Sequence, residues 1–270
     1  MPFISEGKTK LHYEKLGNGP KVLLAFHGFG QDLWYFEPVA EALKEQFTIY
    51  AFDLFFHGKS WLDKTHAPLH KEFLTRLIQQ FLKKEKISKF SVTGFSMGGK
   101  FALTVLESFP AQIHSFYLVA PDGIKTSFWY NVATYPGWLA GFFKRTVVKP
   151  QPFFRMVNTL NRYKLMHPGV LRFASFQMNS PAKRLKIYKS WTGFRLLVFD
   201  IPAMVKLLNA HKIPVIMFFG TFDKIITAQA LAFFTDALED AKVVTLKTGH
   251  THLLEEVGKY LQRHPDLRKA

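Results

Sequence analysis

From residue 20 onward the chain alternates short apolar runs with segments of helical spacing. Uninterrupted apolar or β-branched runs at 22–26, 47–52, 90–93, 116–120, 215–219 and 243–246 predict buried strands. Between them, apolar residues recur every three or four positions near 33–44, 71–84, 100–109 and 228–238, and again from about 253, which predicts amphipathic helices. Strands separated by helices of this length need crossover connections, so the pattern predicts a parallel sheet covered on both faces. Residues 8–16 read differently, as a polar antiparallel hairpin at the sheet edge.

The alternation breaks between residues 123 and 199. This segment holds thirteen of the chain's 36 Lys and Arg and none of its 20 Asp and Glu. It is also rich in aromatics, including Trp129, Trp138, Phe153, Tyr163 and Trp191. It reads as an insertion between two strands of one sheet, dividing the chain into a core of 1–122 with 200–270 and an inserted segment of 123–199. The uncharged stretch 127–143 contains Pro136, Gly137 and Gly141 and falls short of the ~20 apolar residues a membrane span requires. The chain has no cysteine, which excludes disulfides, thiolate metal sites and a cysteine nucleophile. Its opening, "MPFISEGKTK", has no apolar run of signal-peptide type, so a cytoplasmic protein is expected.

Open parallel sheets collect functional groups at the carboxyl ends of their strands. Five sequences leave such ends: "HGFG" after 22–26, "DLFFHGKS" after 47–52, "GFSMGG" after 90–93, "GTFDKI" after 215–219 and "TGHTHLLEE" after 243–246. Ser96 sits where a strand turns directly into a helix, between Gly94, Gly98 and Gly99. A turn that tight demands small neighbours and leaves the central hydroxyl exposed. A serine needs a base to become a nucleophile at neutral pH. His250 is the candidate, with His252 two residues away as its rival. The base in turn needs a carboxylate to hold its tautomer. Asp223 is in position, and Asp122, after the preceding strand, is the substitute. The amides of Met97 and Phe29 are the expected oxyanion donors. His27 with Gly28, and His57 with Gly58, are expected to shape loops and to take no part in proton transfer.

The order Ser96, Asp223, His250, together with these five motifs, resembles the α/β-hydrolase superfamily over nearly all of the chain outside the insertion. The resemblance implies a mostly parallel eight-stranded sheet flanked by helices, with a helical lid inserted after strand six, where residue 123 begins. It also implies a nucleophile elbow at Ser96, the triad Ser96, Asp223 and His250, and an oxyanion hole at Phe29 and Met97. Phe55, Phe56 and Thr227 depart from the pattern common in the family.

The expected activity is hydrolysis of a carboxylic ester through an acyl-enzyme, with a fatty-acyl or anionic substrate and with no metal or organic cofactor. The alternatives are an elimination by the same triad, as in the menaquinone-pathway lyases of the superfamily, and a non-catalytic binding role. For the basic, aromatic insertion, contact with an anionic membrane surface is one expected use, while nucleic-acid binding ranks low because no recognition motif accompanies the charge. The oligomeric state is left open.

Overall fold

A computed structural model describes residues 2–125, 137–165, 171, 175, 176 and 178–264. Residues 127–136 of the uncharged stretch, with Trp129, lie outside that set. The chain divides into two compact units, one formed by 1–125 and 197–270, the other by 126–196.

The first unit is built on one eight-stranded sheet: β1 (Phe3–Glu6), β2 (Thr9–Leu16), β3 (Lys21–Phe26), β4 (Phe47–Phe52), β5 (Phe90–Phe95), β6 (Ile113–Val119), β7 (Val215–Gly220) and β8 (Ala241–Leu246). Its spatial order is β1-β2-β4-β3-β5-β6-β7-β8. β1, β2 and β4 pair antiparallel, and every pairing from β4 to β8 is parallel. Every residue of β4, β5 and β7 is buried, as strands covered on both faces require.

The helices of this unit are α1 (Glu37–Leu43), α2 (Lys71–Lys84), α3 (Gly98–Ser108), then α7 (Ile201–Ala210), α8 (Ala228–Thr235) and α9 (Leu253–Arg263). α1 and α9 pack together on one face, closing a small apolar cavity with Leu23, Tyr117 and Phe218 of the sheet. α3 takes the other face, with Phe101 stacked on Phe26, whose side chain points opposite to that of Leu23.

The helix starts follow their local chemistry. The Asp200 carboxylate accepts from the amide of Ala203 at 3.1 Å at the head of α7, and Thr227 caps α8 through the amide of Ala230 at 3.2 Å. The departure at Thr227 therefore replaces one helix-start residue with another.

The expected polar edge hairpin needs correction. Residues 3–16 do form a hairpin, but β2 is the second strand and Thr9, Leu11, His12 and Tyr13 are buried. The buried His12 presents Nδ1 to Asp53 at 2.8 Å and Nε2 to Glu14 at 3.2 Å. Paired polar groups of this kind remove the desolvation cost that made the segment look like surface.

The second unit contributes α4 (Gly137–Val148), α5 (Gln151–Arg162) and α6 (Pro181–Gly193). Within it the buried Arg184 donates to the carbonyls of Val147 at 2.8 Å and Met178 at 2.9 Å, tying α6 to the end of α4.

Candidate active site

Ser96 directly follows β5 and is separated from α3 by Met97 alone, with φ at +49°. That left-handed conformation is costly for a residue with a β-carbon and is held here by its surroundings. The Ser96 amide donates to the carbonyl of Val119, and the Ser96 carbonyl accepts from the amides of Gly99 and Asp122. Two glycines permit the approach. A β-carbon on Gly98 would collide with the carbonyl of Phe26, and one on Gly94 would lie 2.6 Å from the carbonyl of Gly98.

The hydroxyl of Ser96 lies 2.9 Å from Nε2 of His250, and Nδ1 of His250 lies 2.6 Å from Oδ2 of Asp223. Donation from Nδ1–H to the carboxylate leaves Nε2 as the acceptor for the serine proton. Asp223 is 1% exposed, and its other oxygen accepts from the amides of Ile225 at 2.7 Å and Ile226 at 3.1 Å. These amides fix the carboxylate without competing for the oxygen that faces His250. The ring of Phe95 packs 5.0 Å from that of His250.

The two substitutes are elsewhere. The side chain of His252 is 74% exposed and faces Glu255 at 3.7 Å. Asp122 turns toward the amide of Gly123 at 2.8 Å and Nζ of Lys100 at 3.9 Å.

The expected oxyanion donors sit in well-held loops. Met97 precedes α3, whose first turn leaves backbone amides without helical partners. In the loop after β3, Gly28 donates its amide to Oε1 of Gln31 at 3.0 Å, and Gly30 donates to Nε2 of His57 at 3.0 Å. Among the described residues no acceptor takes the amide of Phe29, which lies between them.

His27 accepts the amide of Leu54 at 3.0 Å and donates to the carbonyl of Gly28 at 2.7 Å. His57 donates to the carbonyl of Phe55 at 3.0 Å and packs edge-on against the ring of Phe29. Phe55 is fully buried, and Phe56 takes a positive φ of 68°.

One further residue escaped the sequence reading. Asp53 is buried at the end of β4 and accepts from the amides of Leu33 at 3.0 Å and Lys59 at 2.8 Å, besides facing His12. A β-carbon on Gly58 would collide with its carboxylate. Its place at the head of "DLFFHGKS" was the available signal.

Residues 21–257, which hold the elbow and the strand-end loops, match the family model of the alpha/beta hydrolase fold. The chain belongs to the alpha/beta hydrolase family. Among its relatives is Lipase 3 of a Moraxella species, 24% identical over 261 residues, 94% of this chain and 79% of that one. Another is the dihydrolipoyllysine-residue acetyltransferase component of the acetoin cleaving system of Cupriavidus necator. That protein is 31% identical over 137 residues, 49% of this chain, and the match covers only 33% of its own length. Among solved structures, a thermophilic esterase from Thermogutta terrifontis aligns with a TM-score of 0.68 at 20% identity, covering 97% of this chain and 94% of that one. This hydrolase-fold chain thus has a lipase-named relative along most of its length and shares its fold with an esterase-named structure.

Proposed function

We propose that the protein is a serine hydrolase of carboxylic esters, acting through an acyl-enzyme. The observation that carries the reading is the unbroken relay from Ser96 through His250 to the buried Asp223, at 2.9 and 2.6 Å.

In this reading Ser96 Oγ attacks the acyl carbonyl as its proton passes to Nε2 of His250. Asp223 stays ionised, holds the imidazole by Nδ1–H and stabilises its positive charge. The amides of Phe29 and Met97 receive the oxyanion of the tetrahedral intermediate. Collapse of that intermediate breaks the ester C–O bond, and His250 protonates the departing alkoxide. A water deprotonated by His250 then attacks acyl-Ser96, and the second collapse releases the acid and restores the serine.

Fatty-acyl esters are the proposed substrate class, a choice supported by the lipase name of a relative that matches most of the chain. Residues 126–196, which enter the chain after β6, are proposed to be the lid insertion.

The test is hydrolysis of p-nitrophenyl esters from acetyl to palmitoyl by wild type and Ser96→Ala. Ser96-dependent turnover is expected, with an optimum at a medium or long chain. No turnover from folded wild-type protein at any length would remove the esterase reading and move weight to elimination chemistry.

A further inference from the structure

The second unit combines positive charge and apolar exposure on the same two helices. α4 and α5 pack against each other. They and the residues after them present Lys144, Arg145, Lys149, Arg155, Arg162 and Lys164 to solvent. No Asp or Glu offsets them anywhere between residues 123 and 199. The same stretch exposes four large apolar side chains: Val148 at 76%, Met156 at 43%, Tyr163 at 65% and Leu165 at 68%.

Each of these apolar residues adjoins a cation. Val148 precedes Lys149, Met156 follows Arg155, Tyr163 lies between Arg162 and Lys164, and Leu165 follows Lys164. The seven-residue spacing of Arg155 and Arg162 sets both on one side of α5, about 10 Å apart.

Solubility accounts for neither half of this pattern. A surface of mixed sign is as well hydrated with less self-repulsion, and large apolar side chains in water serve no solubility. A nucleic-acid backbone would pair with the cations but leaves the aliphatic side chains of Val148 and Leu165 without a partner, since they offer no ring for base stacking. An anionic bilayer uses both. Its headgroups neutralise the cations, while aliphatic and aromatic side chains enter the boundary between headgroups and acyl chains. Each helix has twelve residues, which is too short to span and long enough to lie in the interface.

We propose that the α4 and α5 pair docks peripherally on an anionic phospholipid bilayer. Val148, Tyr163 and Leu165 enter the interface, and Arg155, Arg162 and Lys164 pair with lipid phosphates. The proposal concerns binding alone and stands or falls separately from ester hydrolysis.

The experiment is co-sedimentation of Ser96→Ala protein, which leaves the lipid intact, with two kinds of vesicle. One is phosphatidylcholine alone and the other an equal mixture of phosphatidylcholine and phosphatidylglycerol. Binding is expected only to the mixture, weakening steeply with salt. Changing Arg155, Arg162 and Lys164 together to Gln is expected to weaken it about 100-fold, near fivefold per cation. Tyr163→Ala with Leu165→Ala is expected to weaken it by at least tenfold at unchanged charge.

All five of these surface positions are exposed, and thermal melts check that the variants fold. Equal binding to both vesicles, no binding to either, or indifference to the three Gln replacements would overturn the proposal. So would binding to a duplex oligonucleotide that matches the vesicle affinity and ignores the loss of Tyr163 and Leu165, since that surface would be a general polyanion site.

Discussion

Nε2 of His57 accepts the backbone amide of Gly30 at 3.0 Å, although the two residues belong to loops at the ends of different strands. The bond fixes the amide on one side of Phe29, while Gln31 fixes that of Gly28 on the other. In the proposed ester hydrolysis the Phe29 amide is an oxyanion donor, and we predict that His57 positions it through this bond. His57→Leu should lower kcat about 10- to 100-fold with little change in KM. His57→Gln, whose side-chain oxygen can accept the same bond, should recover most of that loss. Steady-state kinetics of both variants decide it, and equal damage in the two would reduce His57 to a packing residue.

Ser96, His250 and His252 make a second comparison. His250 touches both Ser96 and Asp223, whereas His252 is exposed beside Glu255. Ser96→Ala and His250→Ala should each cost about 10⁴-fold or more in kcat, and His252→Ala less than about threefold. A larger loss at position 252 than at 250, in turnover of the best p-nitrophenyl ester, would reassign the base.

The acid can be tested in the same way. Asp223→Asn keeps the shape but offers His250 a neutral partner and favours the wrong tautomer, so kcat should fall about 10³- to 10⁴-fold. Asp122→Asn, beside Lys100 and the Gly123 amide, should leave turnover within about fivefold. A severe loss at Asp122 with a mild one at Asp223 contradicts the assignment.

Three tyrosines are expected to make stability fall at alkaline pH. Burial pushes the Tyr117 phenol up to about 12. Burial and then the Glu85 carboxylate push Tyr50 up to about 12, and Tyr13 is raised further by burial and its hydrogen bond to Glu85. A phenol free in the unfolded chain loses its proton near pH 10. The folded state therefore keeps these protons longer, so their contribution is complete below about pH 10 and is lost as pH rises toward about 12 and beyond. Urea unfolding from about pH 9 to 11 should show a falling free energy, and Tyr117→Phe should make the fall shallower. Over the full titration Tyr117 accounts for on the order of 2 kcal/mol. A pH-independent midpoint in wild type would contradict the assignment.

Local periodicity made most of the first unit legible. The strand at 47–52 and the helix at 71–84 coincide with β4 and α2, because an unbroken buried run and a 3.6-residue stripe each need only nearby residues to declare themselves. The burial of the hairpin is not legible in this way, because Lys8, Thr9, Lys10 and His12 look polar until Asp53 arrives from the end of β4 to join Glu14 of the same strand in satisfying His12.

What the sequence determined by itself was the alternation of strands and helices and the elbow at Ser96, where glycines on both sides leave room for the backbone to turn tightly. It also placed a small set of acids and histidines at strand ends. Only the tertiary structure decided among them. His250 rather than His252 faces Ser96, Asp223 rather than Asp122 faces His250, and His57 reaches the loop of Phe29. The physical reason is one of direction and distance. Residues two apart in a turn leave the backbone on different bearings, and a hydrogen bond between positions 96 and 250 exists only after the crossovers have set the order of the strands.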